Sequence, residues 1–273
     1  MSSVRNAVSR LSLWLGYGLI AGGLVLLAIS VDRLWLSDIR ARSAAESERA
    51  NIYANWGLAT FDGQKLPRFL APLFDPTTNG EVEETVVMAA SSETTIPVST
   101  VAPVTTIDPA LIEQFDQAAT KNGAFALLYV PKLRDNAWAT PILSGVADEQ
   151  LNTGIGHFPA NAMPGESGNF ALAGHRMTYG KPFTDVDKLQ VGDEVIVETR
   201  DKYYVYRLVA DEIVNPTDVW VLDDQPFAGV DGTTNGIITL ITCEPKWSTK
   251  QRWVWWGELT SVLDRANPPA ALS

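Results

Sequence analysis

The chain has no second cysteine: Cys243 stands alone, so an intrachain disulfide is excluded. Histidine is almost as scarce, with only His157 and His175. No cluster of potential ligands has metal-ligand spacing, so neither a metal nor another cofactor is expected. Surplus positive charge is missing too. The formal net charge is −11, whereas a phosphate-binding surface needs clustered Lys and Arg, so nucleic acid is not an expected partner. No internal repeat is visible. A lone cysteine inside a cell is usually a small buried hydrophobe. In an exported protein it is a free reactive thiol. Where the chain resides therefore matters.

The longest run without charge lies between Arg10 and Asp32. A helix over residues 11–31 would be about 30 Å long, the thickness of a bilayer's hydrocarbon core. Trp14 and Tyr17 near one end and Trp35 beyond the other suit the two interfaces. A cleaved signal peptide would have a shorter apolar region ending in a small-x-small site, and Ala28-Ile29-Ser30 matches that poorly. Residues 11–31 are therefore expected to be an uncleaved transmembrane anchor, with 1–10 as a cytoplasmic tail. Arg5 and Arg10 precede the run and Arg33, Arg40 and Arg42 follow it, so charge alone does not set the orientation.

With 46% hydrophobic and 19% charged residues the chain can fold, and its length allows one substantial domain plus appendages. Residues 32–50 read as a helical extension of the anchor. Residues 51–75 either dock on the domain or stay mobile. Residues 76–106, rich in Thr, Ser, Val, Pro and Glu, read as an extended linker. Together 32–106 form a juxtamembrane segment and stalk, 107–262 the folded domain, and 263–273 a C-terminal tail.

In that domain Asp108-Pro109 marks a helix start, Leu111, Ile112, Phe115 and Ala119 keep helical spacing, and Asn122-Gly123 ends it. The pattern then changes to strands, at 124–130, 141–146, 169–174, 193–200, 203–213, 236–242 and 252–260, with a helical turn at 182–190. Seven strands over this length suggest an all-β fold, a closed or nearly closed barrel.

Chemistry concentrates at three strand ends. The apolar segment from Gly236 ends at Cys243; Arg252 opens the strand that follows; and the segment from Gly168 runs through Gly174 to His175. If the two later strands pair antiparallel, Cys243 and Arg252 share a rim. A thiolate nucleophile, an imidazole that protonates a leaving amine, and a guanidinium that holds an oxyanion would make a cysteine–imidazole site. Taken singly, each has a plainer reading: a core cysteine, a hydrogen-bonded histidine, a solvated arginine. Spacing alone leaves the choice open.

The motifs carry a resemblance. Gly154-Ile-Gly-His-Phe-Pro, followed by the segment Met163 to Arg176, resembles the histidine region of sortases. Thr239-Leu-Ile-Thr-Cys243 matches their TLxTC signature, and Arg252 falls at their active-site arginine. Thr217 to Leu222 and Lys181-Pro-Phe183 look like the class E branch of high-GC Gram-positive bacteria. The likeness covers roughly 122–262.

It implies an eight-stranded sortase-type β-barrel with short helices, the eighth strand near 154–158 or 219–222. It implies Cys243 as nucleophile, His175 as general acid and then base, Arg252 as oxyanion and substrate anchor, and Thr242 as a substrate contact. It also implies a membrane-held enzyme with its catalytic domain outside the cell. Such an enzyme cleaves an LPxTG-type sorting signal, LAxTG on the class E likeness, between Thr and Gly, and passes the surface protein to an amine of the peptidoglycan precursor. No calcium loop is evident. Phe74-Asp75-Pro76 is reminiscent of a pilin-class lid, but the linker parts it from the barrel. His157, in a Gly-rich loop, is expected to organise the rim, Arg176 to be structural, and Trp253, Trp255 and Trp256 to serve packing. A secreted cysteine hydrolase and a non-catalytic stalked binding barrel are the competing readings.

Overall fold

The computed structural model describes residues 14, 17–27, 29–30, 36–57, 123–134, 137–226 and 236–272. The proposed cytoplasmic tail at 1–10, the linker, the helix expected at 108–122 and Phe74 to Pro76 lie outside the described residues. Residues 17–27 are helical, and among the described residues no helix is long and apolar enough to cross a membrane.

Eight strands close into one barrel in the order β1-β2-β3-β4-β7-β8-β6-β5, with β5 returning to β1. They are β1 (Ala124–Tyr129), β2 (Thr140–Ser144), β3 (Ile155–His157), β4 (Asn169–Ala173), β5 (Glu194–Glu198), β6 (Lys202–Val214), β7 (Ile237–Glu244) and β8 (Gln251–Asp264). The eighth strand expected from the sequence is β3. The alternative position, Val219–Leu222, is a 3₁₀ turn. β8 runs past 262, and Leu272 is buried beyond it, so part of the expected tail belongs to the barrel.

Closure needs bent strands. β6 and β8, the longest pair, carry register shifts at Val205/Tyr206 and Leu208/Ala210. An unpaired residue at such a bulge bends the strand and tightens its twist. β2 and β3 run parallel, and a Cβ at Gly156 would stand 2.4 Å from the Gly145 carbonyl oxygen, so only glycine permits this approach.

The barrel interior holds Phe125, Leu128, Phe170, Leu172, Tyr206, Leu240 and Trp255. Each large side chain removed from water contributes about 2–3 kcal/mol. A second cluster lies outside β1, where helix α1 (Ser37–Asn55) packs Ile52, Tyr53 and Trp56 near Leu127, Tyr129 and Ile196. This cover explains why every residue of β1 is buried. The sequence left docking of residues 51–75 open against mobility and read 32–50 only as a helical extension, because α1 is mostly Ala, Ser and charge. Its anchor is polar. The buried Glu198 carboxylate accepts hydrogen bonds from Tyr129, Tyr203 and Tyr53 and pairs with Arg265 at 2.7 Å. At its other end, Asp38 of α1 pairs with Lys181.

A third cluster sits on the outer face of β4, β7 and β8. Ile237, Ile241, Val254 and Trp256 form it with Ala173, Phe158, Val214, Val221 and Trp220. This face carries the candidate site.

Candidate active site

β4 and β7 are parallel neighbours, in register from Asn169↔Ile237 to Ala173↔Ile241. The same offset carried two residues on sets His175 level with Cys243. Beyond the last ladder pair, the Gly174 amide donates to the Ile241 carbonyl at 3.0 Å and the Thr242 hydroxyl to the Gly174 carbonyl at 2.8 Å. On β7's other side β8 runs antiparallel, and Cys243 pairs directly with Arg252. Cys243 thus lies on the middle strand, with the histidine at one flank and the arginine at the other. Directly paired residues project to one face. Cys243 and Arg252 share the outer face with the pairs Ile241–Val254 and Thr239–Trp256. The intervening pair, Thr242–Trp253, projects to the interior side.

The same alternation places Thr242, the expected substrate contact, on the face opposite Cys243, where it is buried and its hydroxyl donates to the Gly174 carbonyl. It braces the backbone that delivers His175. Gly174 is needed for the same delivery: a Cβ there would come within 2.7 Å of the Phe183 ring.

His175 is half-buried, with Nε2 3.3 Å from Asn152 Oδ1 and its ring 5.1 Å from that of Tyr179. Burial holds its pKa below the ordinary imidazole value, opposed by the Asp148 charge, so the neutral ring dominates at pH 7. Asn152 and Asp148 flank the single helical turn α2 (Asp148–Leu151). Nothing in the sequence spacing points to either, because their tie to His175 is made by the fold.

Arg252 donates from Nη1 to the Thr249 and Gln251 carbonyls, each at 3.0 Å. These bonds hold its guanidinium at the turn between β7 and β8. Arg176 takes the structural part expected of it. It is buried, donates to the Cys243 carbonyl at 3.1 Å, pairs with Glu244 and Asp187, and lies 5.2 Å from the centre of the Trp253 ring. It holds the strand end that presents the thiol.

His157 does not organise the rim. It has no exposed surface, is sandwiched by Phe125 and Phe170, and sits 3.0 Å from the Ala162 carbonyl through Nε2. Burial lowers its pKa to about 4. Of the Trp-rich strand, Trp255 and Trp256 are buried as packing residues and Trp253 is partly so. Among the described residues no group of His, Cys, Asp and Glu could hold a metal ion.

A closed eight-stranded barrel with a lone cysteine between a histidine-bearing strand end and an arginine defines a class: barrels built around a rim thiol. The family model for the sortase domain matches residues 128–260. Sortase SrtE1 of Streptomyces coelicolor is 38% identical over 159 residues, covering 55% of this chain and 44% of that protein. Sortase SrtE2 of the same organism is 32% identical over 161 residues, with 55% and 62% covered. The solved structure of sortase E from Streptomyces avermitilis is 38% identical with a TM-score of 0.50, covering 55% of this chain and 97% of that one. The chain belongs to the sortase family of cysteine transpeptidases, and these relatives are of the E type. The match spans 44% and 62% of the two curated relatives' lengths.

Proposed function

We propose that the protein is a membrane-anchored transpeptidase that cleaves an LPxTG- or LAxTG-type sorting signal between Thr and Gly and joins the surface protein to an amine of the peptidoglycan precursor. The observation that carries this reading is the placement of Cys243 on β7 between the end of β4 and the start of β8, in register with Arg252. Residues 11–31 serve as the anchor. Their uncharged sequence supports this, as do the exposed Leu19, Ile20, Leu24 and Leu27 on the helical stretch 17–27. The catalytic domain then works outside the cell.

In the fraction of molecules whose Cys243 thiol proton has passed to His175, the thiolate attacks the threonine carbonyl carbon. An S–C bond forms, and the carbonyl pair moves to oxygen, where Nε and Nη2 of Arg252 meet it. Collapse breaks the Thr–Gly C–N bond as protonated His175 gives its proton to the departing amine. A thioester remains. The acceptor amine attacks it, neutral His175 takes the amine's proton, and the C–S bond breaks to return the thiolate. Ala173, partly exposed on the face that carries Cys243, suits the Leu, Pro or Ala side chains of the signal.

The test is mass spectrometry of the full chain in detergent, incubated with LPxTG- and LAxTG-type peptides. A mass adduct is expected on Cys243 and none on Cys243→Ala. An adduct that survives that substitution, or none on the parent chain, refutes the reading. Release of free acid alone, with an amine present, favours the cysteine hydrolase. A phenotype untouched by Cys243→Ala favours the non-catalytic barrel.

A further inference from the structure

A cavity of about 600 Å³ lies between helix α1 and the loops around His175. Arg40 and Ala44 line it from the helix, and Asn152, Thr153, Thr178 and Tyr179 from the barrel. Two of these barrel residues touch the imidazole: Asn152 Oδ1 is 3.3 Å from His175 Nε2, and the Tyr179 ring is 5.1 Å from that of His175. The cavity therefore adjoins His175 through Asn152 and Tyr179. Cys243, by contrast, lies on the outer face with Ile241 and Val254.

We propose that this cavity receives the acceptor substrate, a membrane-borne molecule that presents an amine with a carboxylate nearby. The proposal rests on the acyl-transfer reading above and locates its second substrate. Three features carry it. The cavity abuts the group that must accept the amine's proton. Its lining is polar, with Asn152, Thr178 and Tyr179 from the barrel and Arg40 from the helix, the last a cation suited to an anion. One wall is the helix that follows the anchor. From the end of the uncharged run at Val31 to Ser37, at the start of α1, the chain reaches at most about 22 Å fully extended, so the cavity stays near the membrane surface. An acceptor held at that surface can reach it; one free in the wall far from the membrane cannot.

The amine nitrogen bonds to the thioester carbonyl carbon and its proton passes to neutral His175. The tetrahedral carbon then expels the Cys243 thiolate, leaving an amide. Docking on both sides of His175 lets the donor acyl group and the acceptor meet at one imidazole without sharing a groove.

The test uses the full chain in lipid nanodiscs with a sorting peptide and three amines: hydroxylamine, the dipeptide Ala-Lys, and Ala-Lys with its carboxylate amidated. The readout is the ratio of amide product to hydrolysed product. Ala44→Trp, which fills the cavity from an accessible helix face, should lower the ratio for Ala-Lys about fivefold or more relative to hydroxylamine, which needs no pocket. Arg40→Gln should lower it for Ala-Lys but not for the amidated form. Ratios for Ala-Lys unchanged in both variants overturn the acceptor site. So does an equal loss with hydroxylamine, which would mean that His175 itself was disturbed, or a raised KM for the sorting peptide, which would place the donor there. Absence of a Cys243 adduct in the parent chain sinks the acyl-transfer reading, and the acceptor site with it; an intact adduct with unchanged ratios sinks the acceptor site alone.

Discussion

His157 gives the barrel a dependence of stability on pH that can be worked out in advance. In the unfolded chain it titrates near 6.5; in the native barrel burial lowers that to about 4, opposed by the hydrogen bond to the Ala162 carbonyl. Below the unfolded pKa the unfolded chain binds a proton that the native state refuses. Stability is thus fully present above pH 6.5 and falls as pH drops towards 4, where the native ring also protonates. Linkage with these two pKa values removes about 2 kcal/mol between pH 7 and 5 and about 3 kcal/mol by pH 4. Domains are stable by only about 5–15 kcal/mol, so the loss is measurable. Urea denaturation at pH 7, 6, 5 and 4 is compared for the parent chain and His157→Gln. The glutamine amide can still donate to Ala162 but does not titrate. Carboxylates titrate in both proteins and cancel, as does any constant offset. The stability difference between parent and variant should move by about 3 kcal/mol over that range, in favour of the variant at low pH. A difference that stays flat refutes the assignment of His157 as a neutral buried ring.

Four further outcomes follow from the geometry. Gly174→Ala forces a Cβ to 2.7 Å from Phe183, so it should displace His175 and lower kcat/KM by roughly 100-fold, read with a fluorogenic sorting peptide. Arg176→Met strands Glu244 and removes the donor to the Cys243 carbonyl; a loss of about 3 kcal/mol is expected in denaturant melts. Asp148→Asn removes the charge that favours imidazolium at His175, so the acid limb of the pH–rate profile should move to lower pH. Tyr53→Phe deletes one donor to Glu198 and should cost about 1 kcal/mol, with faster amide exchange along α1.

The barrel was largely legible because its strands alternate or run apolar between clear turns, and all seven expected from pattern are present with shifted ends. β3 was the weak signal: three residues, Ile155–His157, two of them lacking strand character, are held by neighbours on both sides rather than by propensity. Cys243 and Arg252 were legible because an antiparallel pair with a short turn has one natural register. His175 was legible only through its motif, since its meeting with Cys243 depends on two strands far apart in the chain pairing in parallel. Asn152 was not legible at all, and the docking at Ile52, Tyr53 and Trp56 was legible only as one of two alternatives for residues 51–75. Both are tertiary facts: one hydrogen bond from a loop, and a helix whose few anchors, Ile52, Tyr53 and Trp56, follow a polar run that reads as a stalk.

The threonines of the Thr239 to Cys243 segment bear on why the thiol faces outward at all. A one-residue slip of β7 against β4 would turn Cys243 into the core and Thr242 out to the groove. Apolar packing resists that only weakly, because Ile238, Leu240 and Ile241 could fill either side. Hydrogen bonds do better, since a buried polar atom left unpaired costs about 1–3 kcal/mol. Thr239 donates to Asn169 Oδ1 at 2.6 Å on the outer face, and Asn169 in turn donates to the Val221 and Asp223 carbonyls. Thr242 donates to the Gly174 carbonyl at 2.8 Å on the inner one. Slipping β7 breaks both at once and leaves Asn169, which has no exposed surface, short of a partner. The two hydroxyls thus key β7 to β4 in the single register that sets Cys243 level with His175, and through Asn169 they fix the turn at Val221 and Asp223 as well.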